Sequence, residues 1–100
     1  MKISNEFFYP GKVTYNVFNI DFNKPFADQL EELNEDLIQI KYGDDYLLDI
    51  GWYPEGNENG KIVIQVIYMF QWEKPIIREE VLSLNALLNC IKKIVNSLSN

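Results

Sequence analysis

The acid set inside an apolar run is Asp49, in the string Leu47-Leu48-Asp49-Ile50-Gly51-Trp52. A carboxyl held among such neighbours loses hydration, and its pKa rises toward the range where it trades a proton near neutral pH. Paired with Asp44, Asp45 or Glu55, it could supply the acid and base of a carboxylate-dependent hydrolysis. The plainer reading is a strand aspartate that bonds a nearby turn or faces water on the open side of a sheet. The missing residue types narrow the chemistry further. The chain has no histidine, which removes the commonest general base, the serine and cysteine dyads that depend on it, and imidazole metal ligands. Cys90 stands alone, so there is no intrachain disulfide and no cysteine zinc site, and it reads as a small hydrophobe on a helix. No phosphate loop or glycine-rich dinucleotide fingerprint occurs, and Asn57-Glu58-Asn59-Gly60 is only a fragment of a calcium loop. The expectation is a protein without cofactor, metal or enzymatic activity.

The remaining carboxylates form a field. The formal charge of −6 is unevenly spread: residues 21–58 carry eleven acids against Lys24 and Lys41, a net −9, and both flanks are slightly basic. Such a segment repels nucleic acid and membrane surfaces and attracts basic partners. Two groups stand out as partner-binding candidates. Glu31, Glu32, Glu35 and Asp36 lie together on a short stretch, with like charges three and four residues apart that repel one another on a helix. Asp44, Asp45, Tyr53, Glu55 and Glu58 fall at turns and strand ends. Tyrosine is a rigid anchor that loses little entropy on burial, and acids around it add steering toward lysine and arginine.

The elements that must position these residues can be read from periodicity. The 100 residues, 47% hydrophobic, suit one folded domain. Lys12 to Ile20 alternates as a strand, and Ile3 to Tyr9 reads as a weaker strand paired with it across Tyr9-Pro10-Gly11. Asn23 and Pro25 open a helix with Phe26, Leu30, Leu33 and Leu37 on its apolar face. Leu37–Tyr42, Tyr46–Tyr53 and Ile62–Phe70 then form a meander. Leu48, Ile50 and Trp52 share one side of the second of these, and Asp49, Gly51 and Tyr53 the other. Pro54 to Lys61 is the loop between the last two. Ile62–Phe70 is apolar on both sides, as in a central strand or a dimer contact. Ser83 caps a final helix striped by Leu84, Leu87, Leu88, Ile91, Val95 and Leu98. The expected fold is α+β: a single domain, an antiparallel sheet of about four strands with two helices packed on it. No run is long and apolar enough to span a membrane. The opening MKISNEFFYPGK carries Glu6 and Pro10 where a secretion signal needs apolar residues. With the lone cysteine, this points to the cytoplasm.

The string Asp49-Ile50-Gly51-Trp52-Tyr53-Pro54-Glu55, followed by a Gly/Asn loop, an apolar strand, Trp72, Pro75 and an amphipathic helix, resembles small immunity proteins of bacterial contact-dependent growth inhibition systems. The likeness covers residues 45–80; elsewhere it rests on size and element order. It implies a cytoplasmic protein that binds and neutralises the toxin domain of its own system's secreted effector. Many such toxins are nucleases with basic clefts, which carboxylates cover in place of phosphates. Two other readings stand beside it: a hydrolase built on Asp49, and a generic acidic interaction domain or a homodimer through Ile62–Phe70.

Overall fold

A computed structural model describes residues 1–99. Five strands, β1 (Lys12–Asn16), β2 (Ile38–Tyr42), β3 (Tyr46–Tyr53), β4 (Lys61–Tyr68) and β5 (Ile77–Val81), form one sheet in chain order. Every neighbouring pair is antiparallel. One α-helix, α1 (Leu84–Leu98), follows the sheet. Short 3-10 segments, Asn5–Phe8 and Phe26–Glu32, lie before β1 and before β2. The antiparallel α+β architecture is present with one more strand than expected. The Phe26–Glu32 segment stands where the first of two helices was expected.

The alternation in the strands decides which side meets the core. Ile38 and Ile40 of β2, Leu48, Ile50 and Trp52 of β3, and Ile62, Ile64 and Val66 of β4 are fully buried and register across the sheet. Leu87, Ile91, Ile94 and Val95 of α1 complete the same cluster. Each such side chain contributes about 1.5–3 kcal/mol relative to exposure. Ser83 caps α1 as its sequence predicts, its Oγ accepting the Ala86 N–H at 3.1 Å. Trp52 is 0% exposed. Its Nε1–H donates to the Asn57 carbonyl at 2.8 Å, so the indole fastens the β3–β4 loop onto the core.

Several sequence expectations are corrected. Ile3 to Tyr9 is not a strand: the Ser4 hydroxyl accepts the Glu6 N–H, a tight turn forms, and Phe8 is buried while Phe7 is exposed. The expected helix to Leu37 stops at Glu32 and is kinked at Gln29 (φ −141°, ψ 38°). Gln29 is the physical cause. Its buried amide accepts the Asp21 N–H and donates to the Asp21 carbonyl, both at 2.8 Å. It thereby closes the 21–25 loop instead of following a helical path, and Leu30 is left exposed. Asn23 caps nothing; its N–H donates to the Asp21 carboxylate. β4 ends at Tyr68, and its two apolar sides are those of a central strand held between β3 and β5. Both edges of β4 carry partners, so the strand offers no free edge.

Candidate partner-binding surface

The acids near the β3–β4 loop are assembled by one irregularity beside β3. The Leu37 N–H donates to the Ile50 carbonyl at 3.0 Å, and the Trp52 N–H donates to the Asn34 carbonyl at 2.8 Å. Between these two bonds the strand side spans Ile50 to Trp52, and the opposing chain spans Asn34 to Leu37. The surplus residue makes Glu35 and Asp36 bulge. Gly51 makes room for them: a Cβ there would lie 1.7 Å from the Glu35 carbonyl oxygen, so only glycine admits this approach.

The hairpin loop then docks onto the bulge. The Glu55 carboxylate accepts the Glu35 N–H at 3.0 Å, and the Gly56 N–H donates to the Leu33 carbonyl at 2.7 Å. Two stretches twenty residues apart in the chain thus share one end of the sheet. Glu31, Glu35, Asp36, Glu55 and Glu58 are exposed there and Glu32 is half-buried. The ion pairs among the described residues, Lys61–Glu80 at 3.7 Å and Arg78–Glu80 at 2.8 Å, use none of these six. Glu35, Tyr53 and Glu55 line an open cleft of about 560 Å³ whose other side bears Lys61, Arg78 and Glu80. The acidic surface therefore borders an ion-pair cluster on β4 and β5 in which Lys61 and Arg78 share Glu80.

Asp49 lies on the same side of the sheet and is 1% exposed. The Gln39 amide of β2 donates to its Oδ1 at 3.1 Å. Burial pushes its carboxyl from 3.8 up to about 6, the Gln39 bond opposes the shift, and the negative fields of Asp36 and Glu35 add to it. Burial likewise lifts the Tyr53 hydroxyl to about 12, with Asp49, Glu35 and Asp36 adding and Arg78 opposing.

The sequence-derived grouping is rearranged by this geometry. Glu35 and Asp36 come together with Tyr53 and Glu55, and Glu31, Glu32 and Glu58 lie on the chain segments that run into this group. Asp44 and Asp45 do not join them. They occupy the β2–β3 turn, at the far end of an eight-residue strand, about 25 Å away at ~3.3 Å per residue. They are also too distant to form the acid/base pair with Asp49 that the sequence allowed, and Glu55 is engaged with the Glu35 amide. Sequence reasoning missed Gln39, Arg78 and Glu80. Gln39 had a signal, since a glutamine alternating with Ile38 and Ile40 must face the side on which Asp49 stands. Comparison of the chain with protein-family models, with curated proteins and with solved structures returned no match.

Proposed function

We propose that this protein is an immunity protein that works in the cytoplasm by capturing and neutralising a basic toxin domain, a nuclease being the enzyme class best matched to its charge. The observation that carries the reading is the single acidic surface built by the Glu35–Glu55 bond. It presents Glu31, Glu35, Asp36, Glu55 and Glu58 with no ion pair of their own, beside half-buried Tyr53. Leaving like charges together and uncompensated costs stability, and a complementary cation surface on a partner relieves that cost. The Asp49–Glu55 string, whose resemblance suggested the function, supplies scaffold in this reading: Gly51 admits the bulge, Trp52 anchors the loop and Glu55 locks the two together.

The test is capture on the immobilised protein from a lysate of its source bacterium, with elution by a rising salt gradient, followed by assay of the captured protein for nuclease activity. The reading expects one basic domain, retained at 1:1 stoichiometry to high salt, whose nuclease activity disappears when this protein is added back. Only assorted basic proteins leaving at low salt, or a captured domain that keeps full activity in the complex, would refute it. The alternative of an acidic interaction domain without a neutralising role predicts the second of these results.

A further inference from the structure

At the end of the sheet opposite the acidic surface, the chain leaves β4 through two consecutive left-handed residues, Met69 (φ 52°) and Phe70 (φ 61°). Bulky residues seldom adopt this conformation, because Cβ crowds the carbonyl oxygen. The Met69 N–H donates to the Asp45 carbonyl at 2.8 Å, which clamps the excursion against the β2–β3 turn. The outcome is display: Phe70 is 80% exposed and Trp72 is 46% exposed. With Tyr46 they line a cavity of about 220 Å³ that also bears Asp44 and Asp45. The ring of Tyr46 is braced by Tyr68, their centroids 5.0 Å apart.

Aromatic walls with carboxylates beside them complement a flat organic cation. We propose that this cavity is a docking pocket for an arginine side chain of a basic protein partner. A guanidinium stacks on ring faces and at the same time donates hydrogen bonds to carboxylates, which an ammonium does less well. The volume lies below the roughly 300–1,000 Å³ of small-molecule sites and suits a single side chain. Lys41 is the cation in the lining. It makes no ion pair among the described residues, and its charge opposes an arriving guanidinium. The inference stands on this cavity alone and does not depend on the acidic surface at the other end of the sheet.

The test is a titration of the ¹⁵N-labelled full chain with the capped peptide Gly-Gly-Arg-Gly-Gly, and in parallel with its Gln counterpart. The arginine peptide is expected to shift the Trp72 indole N–H and the amides of residues 44–46 and 69–72 saturably, leaving Glu35 and the residues around Glu55 in place. Trp72→Ala or Asp45→Asn weakens that binding about three- to fivefold, and Lys41→Met tightens it. Trp72 lies outside the core, and Asp45→Asn preserves the carbonyl that holds Met69, so both variants keep the fold. Equal shifts from the two peptides, shifts that neither variant reduces, or shifts confined to the acidic end overturn the proposal. Shifts confined to the acidic end would speak for that surface, and the other results leave its capture of a toxin untouched.

Discussion

Replacing Asp49 with asparagine separates charge from shape at the most buried carboxyl in the sheet. The amide keeps an oxygen for the Gln39 N–H but cannot ionise. The folded protein holds the Asp49 pKa at about 6 against 3.8 when hydrated. The folded state therefore binds the proton more tightly than the unfolded chain, and stability falls as pH rises between those two values. Above the window the loss is complete; below it there is none. A shift of about 2 units corresponds to roughly 3 kcal/mol. The chain carries fourteen other acids, so the informative quantity is the difference between variant and parent. Urea unfolding followed by tryptophan fluorescence supplies it, because Trp52 is buried. Between about pH 4 and pH 7.5, Asp49→Asn gains about 2–3 kcal/mol relative to the parent. A difference independent of pH would refute the reasoning. So would the opposite sign, which would mean that the fold selects the carboxylate.

Three further outcomes follow from contacts around the same elements. Gly51→Ala drives a methyl into the Glu35 carbonyl and destabilises the protein by about 2–4 kcal/mol, read as a shifted urea midpoint, since overpacking against backbone has no easy relaxation. Tyr42→Phe removes the hydroxyl that donates to the Phe8 carbonyl at 2.6 Å and costs about 1 kcal/mol in the same assay, the worth of one buried hydrogen bond, because the Gly11 N–H keeps that carbonyl paired. Glu55→Ala leaves global stability nearly unchanged but speeds hydrogen exchange of the Glu35 amide about tenfold, because that amide loses its one acceptor.

The strands were legible from the two-residue alternation of their side chains, although Asp49 and Gly51, on the side away from the core cluster, are buried as well. Leu48, Ile50 and Trp52 against Asp49, Gly51 and Tyr53 follow from pleating alone, and the structure keeps that division. α1 was legible because its cap and its apolar stripe agree. β5 was not, because an edge strand reading Ile-Arg-Glu-Glu-Val has three charged residues in five and so lacks the apolar density of an inner strand. The Phe26–Leu37 pattern was misread for a different reason. Its spacing is helical, but Gln29 satisfies the backbone of a preceding loop, a tertiary demand that local periodicity does not carry. The individual acids of the surface were visible as a charge excess. Their grouping was not, because it depends on a bulge opposite Gly51 and on a hydrogen bond between residues twenty apart. The glycine was the available sign, since it marks a strand position where another backbone comes close.

The central claim is that the surface joined by the Glu35–Glu55 bond captures a basic protein by charge. Its most direct test is the stopped-flow association rate of the captured domain, measured from about 20 to 300 mM salt, for the parent and for a Glu31→Lys, Glu35→Lys, Glu58→Lys variant. Charge capture predicts a parent rate that falls about ten- to a hundredfold across that range. The variant then starts at least tenfold slower and loses most of the salt dependence. Rates and salt slopes that coincide for the two proteins would contradict it.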